Sequence, residues 1–133
     1  MGAWGVKTFE NDSGLDWLAD FESEGADTVL EALEAVSEAD EDAYIDADDA
    51  TCALAAAEIV AAIKSGDGSR LSEDARTALA NYSDDIDADA LQPLAAKAVS
   101  RVKSDSELKE LWEESDDYDN WVADVEDLID RLR

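Results

Sequence analysis

The sequence predicts an all-α fold, a single compact bundle of six or seven helices around an Ala-rich central helix (about 50–63). Apolar residues recur at helical spacing through most of the 133 residues. Ser and Asp residues suited to helix N-caps stand ahead of those stripes. Strand signals are weak, because no Asn-Gly or Asp-Gly turn separates two runs of alternating apolar residues. Asp67-Gly68 has helical flanks and reads as an interhelical turn.

The elements follow in order. Asn11, Asp12 and Ser13 cap a first helix that carries Leu15, Trp17, Leu18 and Phe21. Asp27 precedes a second stripe of Val29, Leu30, Leu33 and Val36. Asp48 or Asp49 starts the Ala-rich segment, in which twelve of the fourteen residues from Ala50 to Ile63 are apolar. A helix apolar on every side is surrounded by the others, so this one belongs at the centre. Ser72 opens a helix with Ala75, Ala78, Leu79 and Tyr82. Asp89 and Gln92 have capping-box spacing ahead of Leu94, Ala95, Ala98, Val99 and Val102. Pro93 is then expected in or near the first turn, where its missing N–H costs least. Ser104 or Ser106 precedes Leu108, Leu111 and Trp112. The last helix has the cleanest face: Trp121, Val122, Val125, Leu128, Ile129 and Leu132.

No repeat, low-complexity tail or Pro/Gly-rich linker divides the chain, so residues 1–133 read as one domain. Area scaling gives roughly 6,800 Å² of folded surface against roughly 21,000 Å² unfolded, enough burial for a core without disulfides or metal. The charge is lopsided, with 36 acidic and 10 basic residues and a net charge of −26. Acidic disorder is excluded by the 46% hydrophobic content and its periodic arrangement. Nucleic-acid binding is excluded too, because it rests on Lys and Arg neutralising phosphates. Anionic membrane surfaces repel such a chain, and no apolar run approaches the roughly 18 residues of a membrane helix. The start lacks the basic and apolar regions of a signal peptide, and Val6 breaks the myristoylation pattern. One cysteine, Cys52, forms no internal disulfide. The expected location is the cytoplasm.

Asp outnumbers Glu by 22 to 14, and lysines are down to five. Short, well-hydrated carboxylates in place of flexible lysines suit a salt-adapted proteome, where net charge keeps proteins soluble. A dedicated basic protein partner is the other reading. The spread of acid along the whole chain favours salt adaptation.

Chemistry-bearing constellations are few. The chain has no histidine, and so lacks the commonest general base and metal ligand. A single cysteine rules out a structural zinc site. Asp85-x-Asp87-x-Asp89 matches the opening of a calcium loop, but Ala90 stands where glycine is needed and Ala96 where a bidentate Glu is needed. No cofactor and no metal is expected. Cys52, among alanines, reads as an inert core filler. Trp17, Trp112 and Trp121 lie on stripes and read as core. Trp4 and Phe9 lie in a non-periodic start, where Trp4 is either a buried plug or an exposed anchor for a partner. Glu58 is the one charge between Ala50 and Ile63. A buried carboxylate must be paired, hydrogen-bonded or protonated. The leading expectation is that Glu58 pins the glycine-rich start, through its N–H groups and the Trp4 indole, against the core. A ligand-binding or catalytic acid and a solvent-facing Glu58 are the alternatives.

Met1-Gly2-Ala3-Trp4-Gly5, Phe9, Asn11-Asp12, Leu15-Asp16-Trp17 and Ala55-Ala56-Ala57-Glu58-Ile59-Val60-Ala61-Ala62 resemble a prokaryotic family of unknown function, DUF4259. The likeness runs through Leu108–Trp112 into the final helix and departs at Val6-Lys7-Thr8, where the family often has a further glycine. It implies a small stand-alone protein and brings no catalytic residues. The expected class is a non-catalytic binding or regulatory protein, including an immunity-type inhibitor of a basic enzyme. The alternative is a carboxylate-based hydrolase, which needs a deep pocket with two converging acids.

The net charge of −26 spreads at about one excess charge per 260 Å² of that surface, so repulsion is moderate and partly screened. Thermal melts from low to molar potassium chloride should show a graded rise in midpoint. A flat or falling midpoint rejects salt adaptation.

Overall fold

The structure, a computed structural model, describes residues 12–66, 68 and 71–132. Among them the chain forms α1 (Asp12–Glu24), α2 (Ala26–Ser37), α3 (Ala47–Ser65), α4 (Glu73–Tyr82), α5 (Ala88–Ser104), α6 (Glu107–Glu113) and α7 (Tyr118–Arg131), with a 3₁₀ turn at Ser83–Asp85. The described residues form no strand. The all-α bundle read from periodicity is the fold.

Helix α3 is the axis. Ala50, Ala53, Leu54 and every residue from Ala55 to Ala62 are buried. Alanines on all sides let neighbouring backbones come close, and α5, α2, α1, α6 and α7 all pack against it. The outer helices each supply one apolar face. Trp17, Leu18 and Phe21 of α1, Val29, Leu33 and Val36 of α2, and Trp121, Val125, Leu128 and Leu132 at α7 are buried. Leu15 and Leu30 lie off those faces and are exposed. Trp112 joins the core from α6, as its stripe predicts.

Helix starts differ from the sequence reading by a few residues, each for a local reason. Helix α3 is capped by Asp46, whose carboxylate accepts from the Asp49 amide at 2.7 Å. Asp48 and Asp49, expected as caps, sit in the first turn, where negative charge suits the helix dipole. Asp27 likewise falls inside the first turn of α2, and Gly25 occupies the cap position. Ser72 and Ser106 cap α4 and α6 through the Ala75 and Lys109 amides. Helix α5 starts at Ala88, two residues earlier than the capping box suggested, and Asp87 accepts from the Ala90 amide. The two added residues continue the stripe of Ala95, Ala98, Val99 and Val102 back to buried Ala88. Pro93 therefore stands inside α5, on an exposed position where its ring meets no core neighbour.

The α1–α2 junction is the tightest. Gly25 has φ +78° and ψ −143°, a region open almost only to glycine. A Cβ there would lie 2.9 Å from Cε1 of Tyr82. That ring packs on Phe21, and its hydroxyl donates to the Glu22 carbonyl at 2.9 Å. Gly66 ends α3 with φ +70°, but nothing lies within 4 Å of its would-be Cβ. Gly66→Ala should therefore cost about 1 kcal/mol of conformational strain. Gly25→Ala should cost about 2–3 kcal/mol, because steric displacement of Tyr82 is added. Urea melts of the two variants check the order.

Candidate functional site

Glu58 is 1% exposed, at the middle of α3. Its Oε2 meets Nη1 of Arg131 at 3.5 Å, and the arginine side chain is only 16% exposed. Arg131 lies in the last turn of α7, on the flank of that helix's buried stripe. The same end of α7 is fastened to α5, where the Gln92 amide donates to the Leu132 carbonyl. Glu58 is therefore a buried, cation-paired carboxylate, and the solvent-facing alternative is overturned. Trp4, Phe9 and Asn11, and with them the expected pin on the chain start, lie outside the described residues. Asp12 is the first residue of α1.

The acidic runs are distributed into separate duties. Asp46 and Asp87 are caps. Asp89 pairs with Lys64 at 2.7 Å, and the lysine holds its carboxyl below the usual value. Among the described residues no three His, Cys, Asp or Glu side chains are grouped to hold a metal ion. Open hollows of about 240 Å³ (Glu22, Asp74, Thr77, Ala78, Asn81) and about 340 Å³ (Ile63, Lys64, Ile86, Asp87, Ala88, Asp89) lie at the surface. Cys52 is half-buried, and burial with the nearby charges of Asp48 and Asp49 pushes its thiol up to about 12. A thiol so protonated is a poor nucleophile.

A second feature is the loop between α2 and α3. Arg101 of α5 donates through Nη2 to the carbonyls of Ala43 (2.7 Å), Asp40 (3.1 Å) and Glu41 (3.4 Å). The Ile45 carbonyl accepts from the Glu107 amide at 2.8 Å, and Glu107 Oε1 accepts from the Ala47 amide at 2.8 Å. Tyr44 caps this arrangement. Its ring is 61% exposed and its hydroxyl donates to Glu110 at 2.8 Å. That bond, partial desolvation and the charges of Glu110, Glu107 and Asp105 push the phenol up to about 12. The result is an exposed aromatic ring fixed in strongly negative surroundings.

The family described as "Domain of unknown function (DUF4259)" matches residues 2–124. The chain belongs to the DUF4259 family. No curated protein and no solved structure matches it. Neither Arg101 nor Arg131 of this DUF4259 chain was singled out by sequence reasoning. Arg131 carried a faint signal, as the one cation within the α7 segment. Arg101 and Tyr44 carried none, because a clasp on backbone carbonyls leaves no pattern in side chains.

Glu58→Gln keeps the shape of the side chain and removes its charge, leaving Arg131 half-paired in a buried place. It should lower stability by about 1–3 kcal/mol. In a double-mutant cycle with Arg131→Met, measured by urea unfolding, the two changes should be less than additive. Full additivity would show that the pair is not coupled.

Proposed function

We propose that this DUF4259 protein is a non-catalytic binding or regulatory protein that docks a basic protein in a salt-rich cytoplasm. The observation that supports the reading is Tyr44, a large exposed ring held rigidly among carboxylates. Tyrosine gives broad contact area at low entropic cost and is enriched at binding hot spots. Its ring face also suits a Lys or Arg side chain, which the surrounding acids attract. The fixed loop reduces the ordering cost of association. A basic enzyme inhibited by this protein is one form the partner can take.

The surface charge supports recognition of that class through encounter rate and exclusion of acidic partners. Salt weakens such steering, so the apolar part of the contact has to carry affinity in a salt-rich interior. Tyr44 supplies that part. The carboxylate-hydrolase alternative gains no support from the open hollows described above, which enclose no pair of acids away from water.

Pull-down from native lysate at the cell's own salt concentration tests the reading. A stoichiometric complex with one basic protein is expected, and Tyr44→Ser should weaken it by about 2 kcal/mol or more, the hot-spot threshold. Recovery of no basic partner overturns the function. An unchanged affinity of the Tyr44→Ser variant leaves the function standing and moves the docking face elsewhere.

A further inference from the structure

Residues 38–46 form a strap over the junction of α3, α5 and α6. Nine residues long, the strap fully buries one side chain, Ile45. Five of its residues are acids: Glu38, Asp40, Glu41, Asp42 and Asp46. Apolar burial therefore contributes little to holding it. Its attachment is polar and comes from other elements: the Arg101 guanidinium on three carbonyls, the Glu107 amide on Ile45, and Glu110 on Tyr44.

The attachment runs both ways. Helix α6 has only seven residues, too few to be stable by itself. Its first amide donates to the strap at Ile45, and its first side chain accepts from Ala47 at the start of α3, just beyond the strap. Strap and α6 are thus joined at two points, Ile45 to Glu107 and Tyr44 to Glu110, so detaching one strips partners from the other. Segments coupled in this way open together as one local unit.

The charges across that contact are nearly all of one sign. Five acids lie along the exposed strap, and the strap's Tyr44 stands in the field of Asp105, Glu107 and Glu110. Of the nearby cations, Lys103 is drawn to Glu126 and Lys109 to Glu113. Arg101 is the cation that meets the strap, and its Nε is buried without a partner, so the clasp is incompletely satisfied. Repulsion of this kind reaches about 10 Å at 0.1 M salt and about 3 Å at 1 M.

We propose that residues 38–46 and α6 form an ionic-strength-gated strap that Arg101 holds shut, closed at high salt and opening as one unit when salt falls. The opening belongs to the free protein and does not depend on any docked partner. It would move Tyr44 away from Glu110 and uncover the places of Ile45, Leu108 and Trp112, while α3 and its other neighbours stay packed.

Hydrogen exchange read by mass spectrometry tests this on the full chain. The two conditions are molar potassium chloride and the lowest concentration at which residues 50–63 stay protected, each corrected against an unstructured reference peptide. Lowering salt should speed exchange of 38–46 and 105–113 together by about tenfold or more, with residues 50–63 nearly unchanged. Arg101→Met should bring the low-salt pattern into molar salt, and Arg101→Lys, which offers no planar fork, should do so in part. Replacing Asp40, Glu41 and Asp42 by Asn, Gln and Asn should keep the strap closed at low salt. Independent responses of the two segments, or an equal response of residues 50–63, overturn the gated strap. Should Arg101→Met not fold, the salt series on the parent and the triple variant decide the matter alone.

Discussion

The constraint on which the rest depends is the burial of α3 on every side. A helix hidden around its whole circumference from Ala53 to Ala62 needs neighbours in all directions, and a chain of 133 residues can provide them only once. Each surrounding helix must turn its one apolar face inward and has none left for solvent. Alanine makes the geometry possible, because Ala53, Ala55, Ala56, Ala57 and Ala61 let several backbones approach one axis together. The larger inward side chains, such as Phe21, Leu33, Trp121 and Leu128, come from outside and fill the space the alanines leave. Small at the centre and large at the periphery is a packing solution that needs no disulfide or metal.

That arrangement explains how so acidic a chain can fold. With the core supplied by one buried helix and six inward faces, the outward faces carry no packing duty and can hold carboxylates at low cost. The acids then perform local work. They cap α3 and α5, they occupy first turns where the helix dipole favours them, and they pair with scattered lysines. Each exposed pair is worth little by itself. Glu58 is the exception in placement, and it is answered by a cation brought from the far end of the sequence.

Sequence periodicity made most of this legible. The apolar stripe of α7, the Ala-rich run of α3 and the serine caps of α4 and α6 all stand where spacing puts them, because those features depend on neighbours within one helix. Errors arose where two local signals competed. Asp87 and Asp89 can both cap, and only the inward position of Ala88 decides between them. Asp46 wins over Asp48 and Asp49 in the same way. The candidate site was half legible. The isolation of Glu58 among apolar residues announced a buried charge, but its partner Arg131 is 73 residues away, and sequence spacing carries no information on that contact. The Arg101 clasp was invisible for a deeper reason, since its targets are carbonyls, which every residue has.

The division of labour between the two kinds of cation follows from their chemistry. Lys64, Lys103 and Lys109 make exposed or part-exposed pairs with single carboxylates. Arg101 and Arg131 take the inner posts, one on converging carbonyls and one on a buried carboxylate. A guanidinium is planar, less strongly hydrated than an ammonium and able to donate in several directions, so it loses less on leaving water. Lys64 and Lys103 also link helices distant in sequence, but the more buried links are made by arginine. A guanidinium that donates to backbone carbonyls also leaves the carboxylates of the strap exposed to solvent. Net charge on the surface and order in the loops are thereby kept separate: the acids set the first, and two arginines help set the second.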